Sequence, residues 1–195
     1  MAEAGTLHNA FIDELRDMYD AEKQLTKELP KLAKASSNPK LRQAFESHLQ
    51  ETQGQIARLE KVFASLDEKV RGKNCDGITG IIEEGKSIME EDFNDATMDA
   101  CLIAAGQRAE HYEMAAYGTL VAWAQAMGHT EPAKLLRQTL DEEKAADKKL
   151  SGLAEGGINQ GAADAAQSDD EDAEPATVGA SKKTPTSKAK SGNRR

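Results

Sequence analysis

Apolar residues recur every three or four positions through most of the chain, a spacing that places them on one face of an α-helix. In the first such segment they are Leu7, Phe11, Leu15, Met18, Leu25, Leu29 and Leu32. The same spacing predicts long helices over 6–34, 39–66 and 95–127 and from 131 onward, with a shorter helix over 77–92. No window alternates β-branched and polar residues as a half-buried strand does. The chain is therefore predicted to be all-α.

Two short breaks and one long break separate these helices. The segment "SSNP" at 36–39 ends the first helix and starts the second, with Asn38 as the cap and Pro39 at the first helical position. The segment "MGHTEP" separates the last two long helices. The connection over about 67–94 is longer than an up-and-down bundle needs and can return the chain to the other end. We therefore predict a four-helix bundle with one long crossover that carries a short extra helix.

Residues 155–195 differ in composition from the rest of the chain. Almost no large apolar residue lies there, so this segment cannot bury enough surface to offset the entropy of ordering it. We predict a helical domain over 1–154 and a disordered tail over 155–195. The tail has an acidic block, "DDEDAE", followed by a basic end, "SKKTPTSKAKSGNRR". It is interpreted either as a solubilising segment or as one whose basic end contacts DNA, a membrane or an acidic partner.

Charge and segment composition exclude several classes of protein. The net charge of −9 argues against nucleic acid as the main partner of the folded domain, because phosphate binding needs a basic surface. No apolar run approaches the roughly 18 residues of a membrane span, and the N-terminus "MAEAGTLHNAF" lacks a signal-peptide pattern. Cys75 and Cys101 have no metal-ligand spacing and are interpreted as reduced thiols. We therefore expect a cytoplasmic protein that does not enter membranes.

Each long helix has a polar break in its apolar stripe, and each break includes a carboxylate. Residues three or four apart share a helix face, so paired acids within one helix point the same way. The acids of each hairpin also lie at similar distances in sequence from their turn, which gives them similar heights at about 1.5 Å of rise per residue. The acids predicted to converge at mid-bundle are Glu22, Glu51, Glu110, Glu113, Glu143 and Asp147.

This many carboxylates cannot all be ionised in a low-dielectric core, because each loses hydration and repels the others. Lys and Arg are absent from the stripe positions at this level. Bound cations, two of them with bridging oxygens, are the physical solution. The alternatives are solvated helix faces or a hydrated polar break in the core, since Glu pairs are frequent in a chain with 30% charged residues.

Four sequence blocks carry a resemblance to a known family. They are "ELRDMYDAEKQLTKELPKLAKAS", "AFESHLQETQGQIARLEKVF", "AEHYEMAAYGTLVAWA" and "LDEEKAADKKL". On these blocks the chain resembles, from about residue 6 to residue 154, the YciF-like (YciE/YciF) stress proteins of the ferritin-like superfamily. The resemblance implies a ferritin-like bundle, a di-iron or di-manganese carboxylate site, a homodimer and a bacterial stress setting, without a well-defined substrate.

The resemblance also assigns roles to individual acids. Glu22 matches the first-helix ligand, Glu51 the second-helix Glu and Glu143 the fourth-helix Glu. Glu110 and Glu113 look like the paired third-helix carboxylates of rubrerythrin-like proteins. In this interpretation Glu22, Glu51, Glu143 and the third-helix pair are all metal ligands.

The chain departs from the ferritin-like pattern in its histidines. Glu-x-x-His is common on the second and fourth helices of such proteins, but Gly54 and Ala146 stand where those histidines would be. Asp147 can take the fourth-helix role, and Gln55 similarly follows Glu51 at i,i+4. A site with mostly oxygen ligands suits Mn or Fe and weakens the case for oxygenase chemistry.

Three further residues near these acids have open roles. His48 can supply a nitrogen ligand or be a hydrogen-bonded core histidine. Tyr117 can hydrogen-bond beside the site, take part in redox chemistry or simply pack. His111 points about 100° away from Glu110 and is expected at the periphery or on the surface.

The function expected from these observations is that of a ferritin-like stress-response protein. Its dinuclear carboxylate site would hold two divalent ions, Fe or Mn, and would act on iron, peroxide or oxygen. The rival interpretation is a non-catalytic helical interaction or structural stress protein whose metal only stabilises the bundle. The sequence leaves open whether the protein is an enzyme.

Overall fold

The computed structural model describes residues 5–171, and this part of the chain contains helices and no strand. The helices are α1 (Leu7–Ala35), α2 (Pro39–Ser65), α3 (Asp76–Met89), α4 (Asp95–Ala126), α5 (Thr130–Leu153), a π-helical turn (Ala154–Ile158) and α6 (Asn159–Glu171). The four long helices and the short crossover helix α3 confirm the predicted all-α class. No helix in the described range is both long enough and apolar enough to cross a membrane.

The four long helices form a ring in the order α1, α2, α5 and α4, and the crossover helix α3 packs on α4 and α1. The start of α4 lies beside the turn that joins α1 to α2, because Asp99 is hydrogen-bonded to that turn. The crossover therefore returns the chain from the end of α2 to the opposite end of the bundle, as predicted. α4 consequently runs parallel to α2 and antiparallel to α1.

Side-chain caps fix where the long helices begin. The Asn38 side chain accepts hydrogen bonds from the backbone N–H groups of Lys40 and Leu41, and Pro39 occupies the first turn, which confirms the predicted cap. Asn94 caps α4 in the same way. Between α4 and α5, Gly128 has φ +75°, a left-handed conformation that glycine adopts at little cost.

Asp99 holds the α1–α2 turn in place from the start of α4. It is buried, and its carboxylate oxygens accept hydrogen bonds from the backbone N–H groups of Ser37, at 2.9 Å, and Asn38, at 2.8 Å. We expect Asp99→Ala to lower the free energy of unfolding by about 2–4 kcal/mol, because two charge-assisted bonds are lost and two donors lose their partner. Urea unfolding measures this loss, with Asp92→Ala in the exposed preceding loop as the control. Equal stability of the two variants would contradict the assignment.

The helical region extends past the predicted boundary at residue 154. Residues 155–171 are helical, and α6 packs on α4 after a kink at Gly157, where φ is +127°. Leu153 and Ile158 contact the core, and the following segment is rich in Ala, the strongest helix former. These contacts and the high helix propensity stabilise residues 155–171 although the segment has few large apolar residues. That scarcity was the basis for predicting disorder. The rest of the predicted tail, 172–195, including the basic end, lies outside the described residues.

Candidate metal centre

The two acids of the third long helix, α4, lie on its buried face. Glu110 and Glu113 are both buried, and small residues of the same helix, among them Gly106 and Ala109, let neighbouring helices approach closely at this level. An added Cβ at Gly106 would meet Phe45 and a second side chain at 3.1 Å, so this glycine is needed for the packing. The two carboxylates therefore occupy the interior of the bundle, where the sequence predicted them.

The first-helix acid is paired with a tyrosine. Glu22 is fully buried in α1, and the hydroxyl of Tyr117, also fully buried, donates a hydrogen bond to its Oε1. The structure thus selects the hydrogen-bonding role among those open for Tyr117. Burial raises the pKa of Tyr117, and the nearby Glu22 and Glu113 raise it further, so its hydroxyl keeps its proton and acts as a donor.

The second helix places His48 and Gln55, rather than Glu51, toward the interior. His48 and Gln55 are buried, whereas the side chain of Glu51 is 47% exposed. Two helical turns separate His48 from Gln55, so they share a face, and Glu51 lies about 60° around the helix from His48. Glu51 nevertheless contacts the cluster indirectly, since its Oε2 lies 3.1 Å from Nδ1 of His48.

The ring of His48 spans the distance between Glu51 and the interior acids. Its Nε2 lies 3.3 Å from Oε1 of Glu110 and 3.6 Å from Oε2 of Glu143. A carboxylate that accepts the Nδ1–H bond fixes the orientation of the ring and leaves Nε2 directed at the other two acids. The pKa of Glu51 is lowered by its hydrogen bond to His48, so this acceptor is ionised.

The fourth long helix, α5, places Glu143 in the interior and Asp147 at the edge of the bundle. Glu143 is fully buried and accepts a hydrogen bond from the side-chain amide of Gln55. The buried stripe continues through Ala146 and Leu150, on the side of Glu143 away from Asp147. The side chain of Asp147 is 22% exposed. It accepts a hydrogen bond from Gln107 at 3.0 Å and lies 3.2 Å from Nε2 of the exposed His111.

One ligand atom from each of four residues lies within 4.8 Å of the others: His48, Glu110, Glu113 and Glu143. Several side-chain oxygens around this cluster are buried and have no hydrogen-bond partner among the described residues. They are Glu22 Oε2, Gln55 Oε1, Glu110 Oε2, Glu113 Oε1 and Glu143 Oε2. Buried acceptors are rarely left without partners, because each then loses its hydration without replacement. A nitrogen and many oxygens are the donor set that Mn and Fe accept, so these residues fit divalent metal.

The acids also perturb one another electrostatically. Burial raises the pKa of Glu22, Glu110 and Glu113 well above the ordinary value, and the charge of Glu143 is the next largest cause for all three. Burial likewise raises the pKa of Glu143 itself. In the absence of cations these carboxyl groups therefore retain protons at pH values where an exposed glutamate is ionised.

One cation near the cluster was not anticipated from the sequence. Arg58 of α2 donates hydrogen bonds to Glu142 at 2.7 and 2.9 Å and to Thr139 at 2.6 Å. Its charge lowers the pKa of Glu22, although burial outweighs this effect. Because Arg58 is already bound to Glu142, it compensates the interior acids only in part. In the sequence, Arg58 stands three residues after Gln55, so the two share a helix face, and this spacing could have predicted a cation near the cluster.

A pocket of about 140 Å³ between α2 and α5 connects the cluster with the surface. Its wall includes His48 and Glu110 at the inner end and Glu51, Glu142 and Lys149 nearer the surface. Two carboxylates thus border this route to the buried oxygens, although most of the pocket wall is apolar. This is a suitable approach for a hydrated cation.

A family described as a domain of unknown function, DUF892, matches residues 6–163. The chain belongs to the DUF892 family. Within the family's range the chain is 48% identical over 156 residues to the protein YciF of Escherichia coli (strain K12), covering 80% of this chain and 94% of YciF. The resemblance to YciF-like proteins is thereby confirmed.

Solved structures agree with the DUF892 assignment. The crystal structure of the E. coli stress protein YciF is similar with a TM-score of 0.77, covering 80% of this chain and 99% of that one. YcfI from Rhodopseudomonas palustris, described as a candidate structural protein, is 43% identical with a TM-score of 0.75, over 77% of this chain and 96% of YcfI. Protein XCC3681 from Xanthomonas campestris pv. campestris has a TM-score of 0.66 over 84% and 99% of the two chains, and at 21% identity it shows the fold alone.

Proposed function

We propose that this DUF892 protein holds two divalent metal ions, Fe or Mn, in the buried cluster and acts on iron, peroxide or oxygen in a stress response. The stress setting is supported by the similarity to E. coli YciF, which is a stress protein. The metal is supported by the cluster itself. The choice among iron, peroxide and oxygen is part of the proposal.

The observation that carries the proposal is the set of buried, unpartnered oxygens around four glutamates and one histidine. A core without a ligand would be more stable with apolar residues at these positions, because buried acids cost hydration energy that nothing repays. Cations would supply the missing partners for the carboxylate oxygens of this set at once. The pocket between α2 and α5, bordered by Glu51 and Glu142, supplies a path for them.

The residues of the cluster divide into those that would bind and those that would orient. Glu22, Glu110, Glu113, Glu143 and His48 present atoms to the interior and would hold the ions. The outer residues act on them through hydrogen bonds, namely Glu51 on His48, Gln55 on Glu143 and Tyr117 on Glu22. Bound Fe or Mn would supply Lewis-acid and one-electron redox chemistry there.

Metal content of the purified protein tests the proposal. We expect about two Fe or Mn per chain by elemental analysis when the protein is produced with both metals and purified without chelator, as in other dinuclear carboxylate bundles. A well-folded protein without bound metal would contradict it. Consumption of peroxide and of dissolved oxygen, and oxidation of added Fe(II), are then measured on the loaded protein.

A second candidate is a structural stress protein whose metal only stabilises the bundle. The similarity to YcfI, described as a candidate structural protein, favours it. The two candidates differ in one outcome. Metal that raises the melting temperature without any turnover of Fe(II), peroxide or oxygen supports the structural role, because ligand binding to the folded state alone stabilises it.

A further inference from the structure

A second, narrow pocket of about 20 Å³ reaches the same acids from the other side of the bundle. It lies between α1, the crossover helix α3 and α4. Most of its wall is apolar, with Leu25, Leu29, Ile81, Ile82 and Ala105 among the lining residues. At the acidic end it is bordered by His48, Glu28, Glu110 and Glu113.

Glu28 does not convert this pocket into a cation site. One of its oxygens lies 2.6 Å from Nζ of Lys31, which balances its charge, and the other has no hydrogen-bond partner among the described residues. Among the residues that the structure describes, the group of ligand atoms close enough to share an ion includes Glu110 and Glu113 but not Glu28. The part of the pocket lined by leucines and isoleucines offers no group that replaces the hydration of an ion.

Gly85 keeps this pocket open although nothing in the helix requires a glycine there. It lies in the interior of α3, is buried, and an added Cβ would meet only the Cβ of Ala105, at an ordinary 3.8 Å. Alanine would therefore fit, and glycine costs a helix about 0.5–1 kcal/mol relative to alanine. Gly85 differs from the exposed Gly80 of the same helix in that the space beside it belongs to the pocket.

The size and lining of the pocket favour a small neutral molecule without hydrogen-bonding groups. Dioxygen loses no hydrogen bonds when it enters an apolar space, whereas hydrogen peroxide would lose its bonds to water along the leucine and isoleucine wall. A hydrated cation has the route bordered by the carboxylates of Glu51 and Glu142 instead. The two pockets thus differ in the chemistry of what they admit.

We propose that the apolar pocket between α1, α3 and α4 binds dioxygen and admits it to Glu110 and Glu113, separately from the carboxylate-bordered route used by cations. Occupancy of the pocket by dioxygen does not depend on metal. Only the use of this dioxygen in a reaction rests on the proposed function. The two can therefore be tested apart.

Dissolved dioxygen is the probe for the metal-free protein, because it is paramagnetic and broadens the NMR signals of methyl groups that it visits. We expect extra broadening at Leu25 and Leu29, each 4% exposed, relative to Leu140, which is also 4% exposed but does not line the pocket. Uniform broadening across these buried methyl groups would overturn the proposal, whatever the metal content of the protein.

Two matched glycine variants test whether the pocket is the route. Gly85→Leu is expected to fill the space and remove the extra broadening, whereas Gly80→Leu, at an exposed position of the same helix with open space around its Cβ, is expected to leave it unchanged. In the metal-loaded protein, Gly85→Leu should lose most of the rate of oxygen consumption while keeping its metal. Gly85→Ala serves as a smaller filling residue if the leucine variant does not fold, with a partial loss expected. Unchanged broadening in the Gly85 variants would overturn the assignment of the route.

Discussion

Replacing Glu143 with glutamine is expected to abolish stoichiometric metal binding. Glu143 is fully buried, has one oxygen without a partner, and lies 3.6 Å from Nε2 of His48. Its charge is the largest electrostatic contribution to the raised pKa of Glu22, Glu110 and Glu113, which places it at the centre of the cluster. Removing the central anionic ligand should cost well over the roughly 10–100-fold in affinity that loss of an outer hydrogen-bonding partner costs.

The same chemical change at Glu51 provides the matched control. Glu51→Gln keeps an acceptor for Nδ1 of His48 and removes only a charge at a half-exposed position, so we expect two ions per chain and an affinity reduced about 10-fold at most. Titration with Mn(II), followed by elemental analysis after desalting, measures both variants. If Glu143→Gln retains full stoichiometry, or if Glu51→Gln loses it, the division between binding and orienting residues is wrong.

Asp147 allows a second comparison with the ligand set that the resemblance implied. Its carboxylate is bound by Gln107 and lies beside His111 at the edge of the bundle. The charge of Asp147 raises the pKa of Glu110, but its side chain is only partly buried and is held by neighbours outside the cluster, so the geometry favours a peripheral role. Asp147→Asn should retain metal, because the amide keeps the hydrogen bond of its oxygen to Gln107.

The fold could be predicted closely because its signals are local and repeated. Each long helix has an apolar stripe several turns long, and its ends carry short polar or glycine-containing segments that the sequence shows directly. The cap at Asn38 was predicted from one residue type beside one proline. The end of the domain was less predictable, because α6 is held by Leu153, Ile158 and the surface of α4, and such tertiary contacts leave little trace in composition.

The location of the candidate site could be predicted more reliably than the set of residues that form it. The height and face of Glu22, Glu110, Glu113 and Glu143 followed from the stripes, and all four are buried. On α2 the stripe itself passes through His48, Thr52 and Gln55, and all three are buried. Glu51 lies about 60° from His48 around the helix, and its choice as a ligand depended on the family resemblance rather than on the stripe.

The cluster should make the metal-free protein less stable as the pH rises. Burial raises the pKa of Glu113 in the folded state, and its buried Oε1 has no hydrogen-bond partner among the described residues to favour the ionised form. A group whose pKa is higher in the folded than in the unfolded chain contributes stability below the unfolded value, and this contribution is lost as the pH rises toward the folded value. Above about pH 4.5 the unfolded chain has released this proton while the folded chain still holds it, until the pH approaches the raised folded value. Over that interval the free energy of unfolding falls by at most about 1.4 kcal/mol per pH unit for this group.

Glu113→Gln is therefore expected to stabilise the metal-free protein while it destroys metal binding. Glutamine resembles the protonated acid in shape, cannot ionise, and can donate to the unpartnered oxygens of neighbouring acids. The difference in unfolding free energy between variant and wild type should be small near pH 5 and should grow steadily toward pH 8. Urea unfolding in the presence of chelator, at several pH values, measures it. The exposed Glu46→Gln on α2 is the control, and its difference from wild type should not change with pH.

Bound metal is expected to reverse the relative stability of the wild type and Glu113→Gln. In saturating Mn(II) the wild type gains the binding free energy that the variant cannot, so the wild type should become the more stable protein at pH 8. Metal binding also displaces protons from the carboxyl groups whose pKa is raised. The stability that the wild type gains from metal should therefore increase with pH. A pH-independent difference between Glu113→Gln and wild type in chelator would show that Glu113 ionises freely in the folded state. The interior would then be hydrated rather than reserved for cations, and the case for a metal centre would lose its electrostatic basis.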